Sequence, residues 1–242
     1  DLKAIEEVVK LDKKSMRIWK VETINIDKPT ITENKMSLAQ LYVFDSNIVI
    51  DANEKLNSEA EEVLSFAMWS SEPIPFDAME IAIHEAYAKL ESVDERPNYK
   101  LTHEYPLGGK PPMMTHVFEN DKGIRIIATK GAPEALLSYS KLSEIEIKNI
   151  QQALTTMTQE GYRVLAVAEA NFYGEEFPKK QHDFSFQFKG LVAFYDPPKD
   201  NIKTVFETFY KAGIDIKIIT GDNAETTTTI AKQIGFKNYD KA

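Results

Sequence analysis

Three apolar runs, at residues 124–128, 190–195 and 214–219, each lead into a short string rich in glycine, proline or acidic residues. The strings are Lys130-Gly131-Ala132-Pro133-Glu134, Asp196-Pro197-Pro198-Lys199 and Thr220-Gly221-Asp222-Asn223. A run of this length reads as a buried strand, and glycine or carboxylate just beyond such a strand is where phosphates and metals are held. Any one of these strings is ordinary turn punctuation. Their order constrains the fold more tightly, because it requires several buried strands interleaved with helices.

The chain has 242 residues, enough for one large core or two smaller ones. Its net charge of −9 argues against nucleic-acid binding through a broad basic surface, while leaving room for a local phosphate pocket. There is no cysteine, which excludes disulfides, thiolate metal sites and cysteine nucleophiles. The four histidines, His84, His103, His116 and His182, show no metal-ligand spacing and read as surface or core positions. No stretch approaches the ~20 apolar residues of a membrane span, and residues 1–20 are too charged for a signal peptide.

Two textures follow one another along the chain. An amphipathic helix is expected over residues 2–19, then paired strands at 38–44 and 47–51 and a helix capped by Asn57 or Ser58. A second helix is expected over 77–90, with strands at 100–105, 114–119 and 124–129 after it. Helices from Pro133 and over 143–159 precede strands at 162–170 and 184–195. From Asp196 the pattern becomes helix (199–212), strand (214–219) and helix (224–235), a doubly wound arrangement. The simplest account is an insertion: residues 1–36 and 187–242 form one unit, and 37–186 form the unit placed within it.

Each chemical string has two readings. Thr220-Gly221-Asp222 can present backbone N–H groups, a hydroxyl and a carboxylate to a phosphoryl group and its Mg²⁺, or it can simply cap a helix. Lys130 either lines a pocket or is a solvated strand end. Arg163 is either a planar fork for phosphate oxygens or a surface ion pair. Asp196-Pro197-Pro198 restricts the backbone as a hinge or a plain strand-to-helix stop would.

Taken together these strings resemble the cytoplasmic ATP-handling region of P-type cation pumps, and the resemblance runs over nearly the whole chain. Lys130 to Glu134 matches the family's nucleotide-pocket string in full, and Asp196 to Lys199 matches its hinge with a conservative change at the end. Asp77-Ala78-Met79-Glu80 is similar to the acidic helix start of the nucleotide domain, and Glu104-Tyr105-Pro106 to the lead-in of its adenine-stacking aromatic. Gly161 to Ala166 is similar to the strand whose arginine reaches the phosphates, and Thr30 to Met36 to the tail of the phosphorylation sequence. The resemblance implies an α/β chain: an α+β nucleotide-binding domain with an antiparallel sheet, inserted into a truncated haloacid-dehalogenase-like Rossmannoid domain. It implies ATP and Mg²⁺ as ligands, and nucleotide contacts from Asp77, Glu80, Tyr105, Leu107, Lys130, Gly131, Ala132, Arg163, Asp196, Thr220, Gly221 and Asp222. It also implies Asp27 as nucleophile and metal ligand, with no other metal residue. The remaining partners would be the membrane and actuator domains of a full pump, the chain being its cytoplasmic portion and a monomer when isolated. Lys-Gly-Ala-Pro-Glu together with Asp-Pro-Pro-Lys leans toward calcium-type pumps.

Three departures bear on activity. Around Asp27 one position is missing, the glycine is absent, and Pro29 replaces a threonine, removing an N–H that would cradle phosphate. Asp27 therefore reads equally as a surface turn residue. Leu107 stands where the family has its stacking phenylalanine, which should weaken ATP by ~1–3 kcal/mol. The family's downstream Gly-Asp-Gly-x-Asn-Asp carboxylates do not occur in the chain. The expectation is weak ATP binding without turnover by this chain alone. A non-catalytic scaffold module is the alternative, with a haloacid-dehalogenase-type phosphatase behind it because Pro29 occupies the general-acid position.

Overall fold

A computed structural model describes residues 31–33, 35–90, 94–218, 220 and 224–239. The expected helix at 2–19, the nucleophile candidate Asp27, and the Gly221, Asp222 and Asn223 of the third string lie outside the described residues. The chain divides into two compact units, Lys35–Asp196 and a second holding residues 31–33 and the described residues from Pro197 onward.

The unit Lys35–Asp196 is built on one antiparallel sheet of seven strands. In chain order these are β1 (Ser37–Val43), β2 (Ile48–Asp51), β3 (Tyr99–Gly108), β4 (Met113–Asn120), β5 (Arg125–Gly131), β6 (Arg163–Ala170) and β7 (Phe186–Tyr195). Their spatial order is β2-β1-β7-β6-β5-β4-β3, with every neighbouring pair antiparallel. The most continuous apolar strings in this part of the sequence become β6 and β7, at the middle of the sheet. That is what burial on both faces demands of a strand.

Helices cover both faces. On one side lie α1 (Ser58–Trp69) and α2 (Ala78–Tyr87), whose Val63, Leu64, Ala67, Trp69 and Ile83 pack with Leu41, Ala128, Val167 and Phe194 of the sheet. On the other lie α3 (Pro133–Tyr139) and α4 (Glu144–Gln159), whose Leu136, Ile150 and Met157 pack with Met113, Ile127, Ala166 and Leu191. The Asn57 side chain accepts a hydrogen bond from Ala60 N at 2.8 Å and so starts α1. Lys189 on β7 ties α1 down through Glu62 at 2.7 Å, and also meets Glu169 of β6 at 2.8 Å.

The sheet and its helices bear out a mixed α/β chain with an antiparallel sheet. The boundary between the units falls after Asp196 rather than at 187. β7 follows directly on the inserted part, but it pairs with both β1 and β6, so residues 187–195 are held by the sheet.

The second unit carries α5 (Ile202–Lys211) and α6 (Ala224–Gln233), with Phe206, Ala231 and Ile234 buried. Its two chain segments are stitched by Glu33 N to Pro197 O at 2.9 Å and Lys199 N to Ile31 O at 3.0 Å. The strand expected at 214–219 is not formed over the described residues 214–218. Ile214, Ile216 and Ile218 alternate half-buried with exposed Asp215 and Lys217, the period of a strand. A strand also needs a neighbour to pair its backbone groups, and among the described residues of this unit none is in place. A shallow depression of about 210 Å³ lies here, lined by Tyr210, Ile214, Asp215 and Lys237 among others.

Candidate functional site

Of the expected site residues of the larger unit, Lys130 and Glu80 meet where β5 runs out beside the C-terminal end of α1 and the start of α2. Lys130 is the penultimate residue of β5 and is only 5% exposed. A buried ammonium must find acceptors for its three protons. Lys130 Nζ donates to Ser70 O at 2.7 Å, to Ser71 Oγ at 3.0 Å and to Glu80 Oε1 at 2.6 Å. Ser70 caps the C-terminus of α1, where helix carbonyls lack partners and the dipole favours a cation. Glu80 comes from the first turn of α2 and is also 5% exposed. Burial pushes the Lys130 ammonium below its ordinary pKa, and the Glu80 carboxylate opposes that shift. Lys130 is thus a clamp that joins three elements, rather than a solvated strand end.

Glu80 is incompletely satisfied. Its Oε1 accepts from Lys130 and from the Glu72 backbone N–H at 3.3 Å, whereas its buried Oε2 has no hydrogen-bond partner. A buried carboxylate oxygen without a donor is uncommon and calls for one.

The other expected site residues are distributed as follows. Asp77 is the N-cap of α2, accepting from Met79 N at 2.9 Å and Glu80 N at 3.4 Å. Gly131 faces the opposite layer: a Cβ there would meet Met113 Cβ and Pro112 O at 2.6 Å, so the β4 side of the chain itself requires glycine. Ala132 is the N-cap of α3, its N–H bonded to Pro112 O at 2.9 Å. Tyr105 is buried in that same opposite layer, with its ring edge on Phe184 and its hydroxyl donating to Pro178 O. Leu107, near the end of β3, is 66% exposed, and the pairing of Gly108 with Met113 and of Met114 with Lys130 sets it at the Lys130 end of the sheet.

Arg163 opens β6, four residues from Val167, which pairs directly with Lys130. The alternation of a strand therefore puts Arg163 on the same face as Lys130, about 13 Å along. Asp196 is 5% exposed and accepts from Lys35 N at 3.2 Å. Thr220 is an exposed residue of the other unit.

Several participants had no sequence signal as site residues: Ser70, Ser71 and Glu72 lie in an unremarkable polar step after α1, His116 lies in the middle of a strand, and Glu104 stood out only as part of the lead-in to Tyr105. Glu104 and His116 sit directly opposite each other on β3 and β4. His116 is 0% exposed, and its Nδ1 lies 3.1 Å from Ser71 O. Burial first, and then the Lys130 charge, holds its imidazole below the usual histidine pKa.

A seven-stranded antiparallel sheet with helices on both faces, and a clamped lysine–glutamate pair at one end, defines a mixed α/β domain. Residues 76–201, just over half of the chain, match the family model described as P-type ATPase, cytoplasmic domain N, and the chain belongs to the P-type ATPase family. It is 28% identical over 260 residues to calcium-transporting ATPase 1 of Saccharomyces cerevisiae, covering 91% of this chain and 27% of that protein. It is 30% identical over 233 residues to a probable cation-transporting P-type ATPase of Mycoplasma genitalium, covering 91% and 25%. With calcium-transporting ATPase 1 of Bacillus cereus the identity is 29% over 232 residues, covering 85% and 25%. The chain thus spans about a quarter of the length of these relatives. Among the described residues no helix is long and apolar enough to cross a membrane.

Proposed function

We propose that this chain is the ATP-holding cytosolic part of a cation-transporting pump, and that adenine docks against Glu80. The observation that carries this reading is the buried, donorless Oε2 of Glu80 beside Lys130. The exocyclic amine of adenine is a donor that would complete it. Lys130, whose protons are engaged, acts by fixing Glu80 and balancing its charge. Arg163, on the same face, offers its guanidinium to phosphate oxygens. Mg²⁺ and covalent phosphoryl transfer belong in this reading to the full pump, with Asp27 as the residue expected to serve them, Asp222 as a nucleotide contact, and the membrane and actuator domains as partners. The chain alone would bind ATP without turning it over.

Calorimetric or NMR titration with ATP tests the proposal. Wild-type chain should bind ATP weakly, in the millimolar range, and prefer it to GTP, because guanine presents a carbonyl oxygen where adenine has its amine. Leu107→Phe, a change at an exposed position, should tighten ATP about tenfold by restoring a stacking surface. A scaffold role would show as no saturable ATP binding in either protein, and equal affinity for GTP would remove Glu80 from the site.

A further inference from the structure

We propose that Glu72, Glu104 and His116 form a binding site for one divalent transition-metal ion of the zinc type, next to the Lys130–Glu80 clamp. One ligand atom from each of the three residues lies within 4.8 Å of the others. They come from three elements: Glu104 from β3, His116 from β4 directly across from it, and Glu72 from the step just after α1. Their separation in the chain hides them from any spacing rule.

The orientation of His116 carries the argument. Its Nδ1 faces the Ser71 carbonyl oxygen, which can only accept, so Nδ1 holds the proton. The neutral ring then presents a lone pair at Nε2. That nitrogen is fully buried, has no hydrogen-bond partner, and faces Glu72 Oε1 at 4.0 Å. A lone pair set among carboxylate oxygens is repulsive until a cation sits between them. A histidine whose second nitrogen donates to a backbone carbonyl is the usual outer-shell arrangement of a metal ligand, since that bond fixes the tautomer.

No lysine or arginine among the described residues pairs with Glu72 or Glu104, and Lys130 is already engaged by Ser70, Ser71 and Glu80. The surroundings therefore carry an excess of negative charge suited to a divalent ion. One imidazole with two carboxylates disfavours Ca²⁺ and Mg²⁺, which take oxygen ligands, and suits zinc and its neighbours. Zinc bond lengths with tetrahedral angles separate ligand atoms by about 3.4 Å, so the carboxylates must draw in by about 1 Å. Glu104 is exposed and Glu72 half-buried, so both side chains have room to do so. Three protein ligands leave a fourth position for water.

The test is titration of the purified, metal-stripped chain with Zn²⁺, and with Co²⁺ as a visible probe. One equivalent should bind, raise the melting temperature, and in the Co²⁺ form broaden the ring resonances of His116. Glu104→Gln and Glu72→Gln should each weaken Zn²⁺ about tenfold or more while keeping the far-ultraviolet circular dichroism of the wild type. These surface-side changes decide the matter even where His116→Ala folds poorly. Zinc affinity unchanged in both carboxylate variants, or no saturable binding at micromolar zinc, overturns the site. ATP titration of the same variants separates this proposal from the nucleotide reading, which uses neither Glu104 nor His116.

Discussion

Lys130 and Glu80 stabilise each other only as a pair. Both side chains are nearly inaccessible and their charged atoms are 2.6 Å apart. Lys130→Met leaves the Glu80 carboxylate buried without a counter-ion, and the expected loss is about 3–5 kcal/mol in urea unfolding. The double change Lys130→Met with Glu80→Met should recover most of that loss, because apolar replacement of a whole buried pair is close to neutral. Recovery of less than about a third would mean that the bonds to Ser70 and Ser71 matter more than the ion pair. The residue types at this site were legible in the sequence, since Lys130 and Glu80 belong to the strings that carried the family resemblance. Their mutual contact was not legible. It depends on α1 ending and α2 starting beside the end of β5, with fifty positions between Glu80 and Lys130 along the chain. Gly131 shows the same limit: its glycine is explained by Met113 and Pro112 crowding its position, a relation between strands that no local pattern announces.

Elements were read more securely than contacts. Apolar periodicity located the helices of the larger unit and each strand of its sheet to within a few residues, because burial on one or two faces leaves a direct pattern in the sequence. The sequence offered one cap, Asn57 or Ser58, and the structure uses Asn57 for α1; it also places Asp77 as the cap of α2 and Ser143 as that of α4, where a reciprocal bond with Glu146 completes a capping box. Asn57→Ala should therefore destabilise the fold by about 1 kcal/mol, read as a lower unfolding midpoint with unchanged denaturant slope. A neutral result would show that the packing of Val63, Leu64 and Ala67 alone sets where α1 begins. Residues 214–218 mark where periodicity misleads. Their alternation is that of a strand, yet pairing is a property of two segments and a single one cannot display it.

At the scale of the whole molecule, buried imidazoles tie stability to pH. His116 and His84 both have pKa values lowered from the ordinary 6.5, chiefly by burial, so the folded chain keeps them neutral where the unfolded chain protonates them. The unfolded state then binds more protons, and stability must fall as pH drops below about 6.5 toward the folded-state values. Urea midpoints measured in the presence of a chelator should decline between pH 7.5 and pH 5.5. His116→Asn should flatten that decline, and a variant as steep as the wild type would assign the effect elsewhere. The sequence texture suggested a division near residue 187, whereas the compact units divide after Asp196, because pairing of the last strand with β1 and β6 is a long-range relation that texture does not display. That strand has a consequence for how the molecule is made. β7 is the final strand to leave the ribosome, yet it lies between β1 and β6. Until residue 195 has emerged, the nascent chain can assemble only a hairpin and a separate four-stranded piece, each with an open edge able to recruit other chains. Closure by a late central strand makes folding of this domain a post-synthetic, long-range event, and places its greatest exposure to misassembly just before synthesis of the domain is complete.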